Sequence, residues 1–189
     1  AENTNFRILP ELVQAGADTC AEIDGCDLLM TAAANNPSVE VVLMALEMDR
    51  ADRSLLEEYG DSEEPEEDNE LNQFRVISSA LLNPDPAILL AICEEGFSVN
   101  CLLNDENISV LLDLKRAIPD FFSRIVRAGN ALIAADPEYL PPLSHIAIFS
   151  ANPILIPELI QAGADPDQEN QSGIPPLFAA LSNMHGTEI

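Results

Sequence analysis

Residues 155–181, LIPELIQAGADPDQENQSGIPPLFAAL, decide the fold of this chain. The segment begins with apolar residues spaced along one face of a helix: Leu155, Leu159 and Ile160. Gly163 stands where a glycine in the left-handed conformation ends a helix. A polar, turn-rich segment follows, and Pro176 then lies in the first turn of a new helix, where its missing N–H is not needed. The stretch therefore predicts a helix, a polar tip and a second helix.

The same pattern recurs along the chain. Residues 8–18, ILPELVQAGAD, nearly repeat residues 155–165, LIPELIQAGAD, so internal repetition is the first hypothesis to test. The equivalent positions at the ends of the predicted helices are spaced at intervals of 34, 46, 33 and 34 residues: Gly16, Arg50, Gly96, Gly129 and Gly163. Three intervals match a repeat of about 33 residues. The remaining interval, of 46 residues between Arg50 and Gly96, contains an insertion of about 13, the difference between 46 and 33.

Prolines and capping residues support the same period. Three prolines each lie ten residues before a glycine that is predicted to end a helix, which is where the second helix of a repeat begins: Pro86, Pro119 and Pro153. The first helices are predicted to begin after side chains that can accept a hydrogen bond from the helix N-terminus: Asp27, Asn72 and Ser109. Each repeat therefore contains two helices.

At this point the chain resembles the ankyrin repeat family. The residues that carry the resemblance are Ala-Gly-Ala-Asp at 15–18 and 162–165, its relative at 96–100, and Pro-Pro-Leu at 141–143 and 175–177, where the family has Thr-Pro-Leu-His. The resemblance implies an all-α solenoid of stacked helix-turn-helix repeats with projecting β-hairpin fingers. The chain departs from the family in that the Thr is replaced throughout and no repeat keeps the His at its place.

The resemblance implies that residues 1–189 form a single ankyrin-like domain, which the period divides into repeats. It gives a half repeat 1–18, repeats 19–52, 53–100, 101–133 and 134–165, and a half repeat 166–189. The repeat 101–133 is highly divergent. A solenoid normally ends in polar capping repeats, and neither end of this sequence reads as one. We therefore expect these residues to be part of a longer array.

Acidic residues dominate the composition. The 33 Asp and Glu against 8 Lys and Arg give a formal net charge of −25. Such a field repels phosphate backbones and anionic lipid, and it favours a basic partner. Nine of the acids lie in the insertion, residues 57–70, where like-charge repulsion predicts a mobile loop. Both a solvated loop with no partner and an electrostatic lure for a basic partner remain open.

The residue inventory predicts neither an enzyme nor a cofactor or metal site. Lys115 is the single lysine, and no glycine-rich phosphate loop precedes it. The two histidines, His145 and His185, form no recognisable nucleophile–base pair. The four cysteines have no metal-binding spacing, and a chain of this size needs no disulfides to hold its core, so we expect reduced thiols of an intracellular protein. Residues 165–169 imitate the start of a calcium loop, but Pro176 occupies the position of the closing glutamate. No apolar run of about 18 residues predicts a membrane span.

Half of the basic residues cluster within 13 positions: Lys115, Arg116, Arg124 and Arg127. One interpretation is structural: Lys115, Arg116 and Arg127 lie near predicted helix C-termini, where cations complement the helix dipole. The alternative is that the cluster is a docking patch, which could include the acidic insertion of the same chain among its partners. The scarcity of lysine reflects either the base composition of the gene or an adaptor or effector that works beside the ubiquitin machinery of a eukaryotic cell.

The favoured hypothesis is a non-catalytic protein–protein interaction module, monomeric and cytoplasmic, in a host cytoplasm if it is an effector. The resemblance implies that a basic or amphipathic segment of a partner protein binds in a concave groove of finger tips and exposed first-helix faces. We expect no nucleic-acid or membrane partner. Aromatic and Met side chains would anchor the partner while acids steer its approach. The residues that this hypothesis selects are Asp24, Asp105, Glu138, Tyr139, Asp167 and Glu169 on the fingers, and Met30, His145 and Phe178 on the helices.

Two other functions remain open. An acidic mimic of nucleic acid, which would inhibit a nucleic-acid-binding protein, needs carboxylates spaced like phosphates on one face. A regulatory ankyrin array of a larger enzyme needs a catalytic domain outside residues 1–189.

Overall fold

The computed structural model describes residues 7–19, 21–23, 25–59, 66–136 and 138–183, and for residues 52, 53, 55–59 and 66–70 it describes the backbone alone. These residues are mostly helical and contain no strand, so the prediction of an all-α fold is confirmed. One isolated antiparallel bridge pairs Ile23 with Cys26. Beyond that bridge, the β-hairpin fingers stay a prediction.

The α-helices are, in order, α1 (Ile8–Gln14), α2 (Leu28–Asn35), α3 (Val39–Tyr59), α4 (Glu66–Leu82), α5 (Pro86–Glu94), α6 (Ile108–Ala117), α7 (Phe121–Ala135), α8 (Pro142–Phe149), α9 (Leu155–Gln161) and α10 (Pro176–Ala179). Short 3-10 helices span Val99–Leu103, Asp105–Asn107 and Ala180–Ser182. The chain divides into two compact units, unit 1 (Ala1–Glu95) and unit 2 (Gly96–Ile189), with the boundary inside the predicted repeat 53–100.

Unit 1 contains two helix pairs. Helix α2 packs against α3 and α4, while α5 packs against α4 and α3. The first helices of the two pairs, α2 and α4, therefore pack against each other, and so do the second helices, α3 and α5. The fully buried side chains of this unit include Leu29, Leu46, Ile77 and Ile92. This arrangement buries apolar side chains between the two helix pairs.

The helix starts of unit 1 agree in part with the prediction. Asp27 is the N-cap of α2, and its Oδ1 accepts a hydrogen bond from the Met30 backbone N–H at 2.7 Å. Pro86 lies in the first turn of α5, again as predicted. The capping role predicted for Asn72 is wrong, because α4 begins six residues earlier, at Glu66.

The acidic insertion is partly helical. The mobile loop predicted over 57–70 is wrong at both edges, because α3 continues to Tyr59 and α4 begins at Glu66. Leu and Glu are strong helix formers, so a helix that packing has already nucleated extends cheaply into such a sequence. Residues 60–65 lie outside the described part of the chain.

Arg50 does not end a helix, since α3 runs through it. Its guanidinium instead donates to the carboxylate of Glu95 at 2.8 Å and to the Glu95 backbone carbonyl at 2.6 Å. That carbonyl lies at the end of α5. Arg50 therefore joins the second helices of two successive helix pairs.

Unit 2 is organised around α8. This helix packs against the first 3-10 helix (Val99–Leu103), α7, α9 and α10, and α9 also packs against α7. The buried side chains include Leu102, Phe121, Ile125 and Ile146. For the repeat 101–133, the sequence predicted a first helix that begins after a capping side chain at Ser109. Helix α6 begins at Ile108, before Ser109, so that capping prediction is wrong.

Three of the four helix-ending glycines are confirmed. Gly16, Gly96 and Gly163 have φ of +88°, +100° and +100°, which side chains with a Cβ rarely adopt. The N–H of Gly16 donates to Val13 and that of Ala17 to Leu12. The N–H groups of Gly163 and Ala164 make the same two bonds in α9, to Ile160 and Leu159, and all four distances lie between 2.9 and 3.0 Å. The repeated sequence therefore adopts the same local structure twice.

Gly129 is the exception, because it lies buried inside α7, which continues to Ala135. A Cβ at this position would come within 2.6 Å of Pro142 Cγ and 2.9 Å of Pro142 Cδ. Gly129 is therefore present for the close approach of α7 to α8 and does not end a helix.

We expect Gly129→Ala to destabilise the protein by about 1–2 kcal/mol. The clash with the Pro142 ring costs about 1–3 kcal/mol, and the better helix propensity of Ala returns up to about 1 kcal/mol. Urea unfolding would measure the change. The double variant Gly129→Ala/Pro142→Ala should lose less than the sum of the two single changes, since the second removes the obstructing ring. Additive losses would contradict the close contact.

Candidate functional site

The predicted partner-binding residues are in different environments. Asp24 lies outside the described residues. The expectation that Met30 lies on an exposed helix face is wrong, because it is 3% exposed in α2, which packs against α3 and α4. The Asp105 carboxylate accepts hydrogen bonds from the Ser150 hydroxyl and, at 2.8 Å, from the Ala151 N–H. Asp105 therefore holds the loop after α8, a structural task that limits its part in binding.

The remaining six residues all belong to unit 2. Glu138 is exposed beside the half-buried Tyr139, whose hydroxyl lies 3.4 Å from the Ser98 hydroxyl. His145 is partly buried, with its ring centroid 5.1 Å from that of Phe149. Phe178 on α10 is 60% exposed, as a partner anchor would be.

The polar tip between α9 and α10 presents two further acids. Its backbone is held by its own side chains: Asp165 Oδ1 accepts from the Asp167 N–H at 2.9 Å, and Asn170 Oδ1 accepts from the Ile174 N–H at 3.1 Å. Asp167 and Glu169 are exposed on this tip. The tip therefore projects carboxylates from a backbone that its own Asx turns order.

Burial controls the ionisation of His145. Removal of the imidazolium from water lowers the pKa of His145 from 6.5 to about 4. Its Nε2 is inaccessible to solvent and makes no hydrogen bond to any residue in the described ranges, so a proton there would have no acceptor. The side chain is therefore neutral at pH 7 and does not act there as a cation.

An apolar groove lies between α8, α9 and the last helix, and sequence reasoning missed it. Its volume is about 440 Å³, and no charged residue appears in its described lining. Apolar side chains of three helices line it: Leu143 and Ile146 of α8, Ile156 and Ile160 of α9, and Pro176 and Leu177 of α10. The sequence signal that could have indicated it is the presence of large apolar residues after Pro175-Pro176. Two of these residues, Leu177 and Leu181, are 77% and 83% exposed.

The C-terminal stretch of unit 2 carries charges of one sign in its sequence, although Lys115 of α6 pairs with Glu158 of this stretch. No Lys or Arg follows Arg127 in the sequence, whereas six acids lie between Asp136 and Asn183: Asp136, Glu138, Glu158, Asp165, Asp167 and Glu169. All except Glu158 are exposed. A basic group approaching this face meets attraction and no competing cation from the same stretch of chain.

The basic cluster, in contrast, is paired with acids of its own unit. Lys115 bonds to Glu158, Arg116 to Asp113, and Arg124 to Asp120 at 3.0 Å, with Arg127 3.8 Å from the Asp120 carboxylate. The hydrogen bond from Arg124 lowers the pKa of Asp120. Lys115 and Arg116 lie in the last turn of α6, as predicted. Arg127 does not lie at a helix end, because α7 continues to Ala135.

Metal-binding and reactive side chains were sought in the described part of the chain. Within these ranges no three His, Cys, Asp or Glu side chains converge as metal ligands. Cys26 and Cys93 are free thiols, and burial, aided by the charge of Glu94, raises the pKa of Cys93 to about 12, so that thiol stays protonated. None of the described helices combines the length and hydrophobicity that a membrane crossing requires.

Comparison with known proteins identifies no relative: no protein-family model, no curated protein and no solved structure matches this chain. Its function therefore has to be argued from the surfaces themselves.

Proposed function

We propose that this chain is an ankyrin-like repeat module that binds a basic or amphipathic segment of a partner protein and catalyses no reaction. The binding face is formed by the exposed residues of unit 2: Glu138, Asp167 and Glu169 steer the partner, and Phe178 anchors it. Tyr139 and His145, both partly buried in the same unit, would contribute to binding less than these exposed residues. The free thiols at Cys26 and Cys93 fit a reducing compartment, so we also propose a cytoplasmic location.

The repeat part of the proposal is supported by a hydrogen-bonding pattern that occurs twice. Asn83, after α4, donates from Nδ2 to the carbonyls of Ala33 and Asn36, both at 2.9 Å. Asn183, after the last 3-10 helix, donates to the carbonyls of Ala147 and Ser150 at 2.8 and 2.9 Å. In both cases the acceptors are the sixth residue and the C-cap of an eight-residue helix, α2 or α8.

This pattern joins the first helix of one helix pair to the first helix of the next. In each case the asparagine takes up two carbonyls that the C-terminus of a helix leaves without an intrahelical partner. Equivalent contacts at equivalent positions are what stacked copies of one structural repeat would make.

The binding part of the proposal depends mainly on one observation: unit 2 exposes several acids and the aromatic side chain of Phe178, and no basic residue follows Arg127 in the sequence. Acids of one sign raise the association rate of a basic partner, and a desolvated aromatic ring supplies contact energy. Charge alone would attract polycations without selection, so Phe178 and the neighbouring apolar groove favour an amphipathic segment.

Neutralising the acidic tip tests the steering. We expect the triple variant Asp165→Asn/Asp167→Asn/Glu169→Gln to bind a labelled amphipathic Leu/Lys helical peptide about 5- to 20-fold more weakly at low salt. Fluorescence anisotropy would measure the dissociation constant. The Asx turn at Asp165 is retained, because an Asn side chain supplies the same acceptor oxygen.

A control variant removes the same number of charges outside unit 2. Glu22→Gln/Glu47→Gln/Glu94→Gln changes exposed residues of unit 1 and should alter the dissociation constant by less than about twofold. Equal weakening in the two variants would show that only the net charge matters. For the unmodified chain, peptide binding that weakens less than about twofold between low and physiological salt would contradict electrostatic steering.

A further inference from the structure

Helix α1 has a well-formed apolar face that no described residue buries. None of its residues is buried, and Ile8, Leu12 and Val13 are 39%, 52% and 37% exposed. Its sequence is nevertheless that of a buried helix. From position 8 to 18 it matches 155–165 at eight of eleven residues, and the other three exchange Ile, Leu or Val for one another.

Helix α9 shows how this sequence packs when it has a partner. Leu155 and Leu159, the equivalents of Ile8 and Leu12, are both 0% exposed, and Ala164, the equivalent of the exposed Ala17, is 9% exposed. Helix α9 reaches this burial by packing against α8 and α7. The local structure is the same, as the shared hydrogen bonds at the two helix ends show, so the difference lies in what surrounds each helix.

Helix α10 has the complementary deficit. It repeats the Pro-Pro-Leu start of α8, yet Leu177 is 77% exposed where its equivalent, Leu143, is 5% exposed. The apolar groove of about 440 Å³ lies beside it, with Ile156 and Ile160 of α9 on its other side. Among the described residues, α10 therefore lies beside an apolar groove whose lining a second helix could contact.

We propose that α1 of one copy of this chain docks into the groove between α9 and α10 of a second copy. The docked α1 would complete a helix pair with α10, as α9 completes one with α8, and would bury Ile8 and Leu12 as α9 buries Leu155 and Leu159. The two surfaces are different parts of the chain, so the contact is heterologous.

This association does not depend on the proposed basic partner and has the opposite salt dependence. Each copy carries a net charge of −25, so two copies repel one another and added salt relieves the repulsion. Self-association is expected to strengthen between 50 and 500 mM NaCl, whereas binding of a basic peptide weakens. The two proposals can therefore fail separately.

Sedimentation velocity and light scattering of the 189-residue chain, at concentrations from about 5 to 300 µM, test the proposal. The weight-average mass should rise with concentration above that of the monomer. Leu12→Asp, in α1, and Leu177→Asp, in the groove, should each weaken association at least about tenfold. Both side chains are exposed, so neither change should unfold the chain. Leu82→Asp is the matched control, since Leu82 is 52% exposed, as Leu12 is, and it should change association less than about twofold.

Mixing the two blocked variants gives the decisive result. Leu12→Asp keeps an intact groove and Leu177→Asp keeps an intact α1, so an equimolar mixture should form a heterodimer and nothing larger. A chain that stays monomeric at every concentration and salt would overturn the proposal. So would oligomers that survive Leu12→Asp, or a mixture that remains monomeric.

Discussion

Acidification from pH 6.5 to about 4 is expected to remove about 3 kcal/mol from the free energy of unfolding through His145 alone. Burial lowers the pKa of His145 to about 4 in the folded chain, against 6.5 for an exposed imidazole. Above pH 6.5 the side chain is neutral in both states and adds no pH dependence. Between the two values the unfolded chain binds the proton and the folded chain does not, so stability falls as the pH falls. Below pH 4 both states are protonated and the loss is complete.

Urea unfolding at pH 7 and at pH 4.5 would measure this effect as a difference between the unmodified chain and His145→Gln. The subtraction is necessary because the carboxylates also titrate in this range, and His185 and the acids are common to both chains. The unmodified chain should lose about 2 kcal/mol more than the variant between these two pH values. Parallel losses in the two chains would show that the imidazole of His145 is solvated.

Asn83→Ala is expected to destabilise unit 1 by about 3 kcal/mol. Asn83 is 1% exposed, and its Nδ2 donates to the carbonyls of Ala33 and Asn36 while its Oδ1 accepts from the Asp85 N–H at 3.0 Å. Truncation leaves three backbone groups without this partner in a site that water enters poorly, at about 1 kcal/mol each. The contacts join two successive helix pairs, so the loss should appear in the unfolding of the unit as a whole.

Asn183→Ala is the matched comparison for this variant. Asn183 makes the same two side-chain hydrogen bonds, to Ala147 and Ser150, but is only half-buried, so water can replace the lost amide. We expect a loss of about 1 kcal/mol, measured by urea unfolding with the m-value checked for change. A loss at Asn83 no larger than that at Asn183 would contradict the role of burial.

Features that depend on a few neighbouring residues could be predicted from the sequence. The left-handed glycines at 16, 96 and 163, the Asp27 cap and the proline at the start of α5 follow from local conformational preference, and the structure confirms them. The spacing that predicted Gly129 as a fourth helix end did not distinguish a backbone requirement from a packing requirement. A glycine serves both, and only the position of Pro142 shows which applies here.

The candidate site was less accessible to prediction. Glu138, Asp167, Glu169 and Phe178 were expected to be exposed, and they are. Met30 was assigned to an exposed face, although the stacking of α2 on α4 buries it. The groove itself was not predicted, since its lining residues are separated by up to 40 positions, from Leu143 to Asn183.

The sequence by itself determined the all-α class, some of the helix boundaries and the one-sided charge, because these depend on backbone propensity, spacing and composition. Tertiary structure alone decided which apolar faces are buried. Two nearly identical segments, 8–18 and 155–165, form the same helix with the same ending, yet the leucine at 159 is inaccessible and the leucine at 12 is half exposed. Burial depends on the helices packed around a residue, and a sequence of eleven residues does not specify its neighbours.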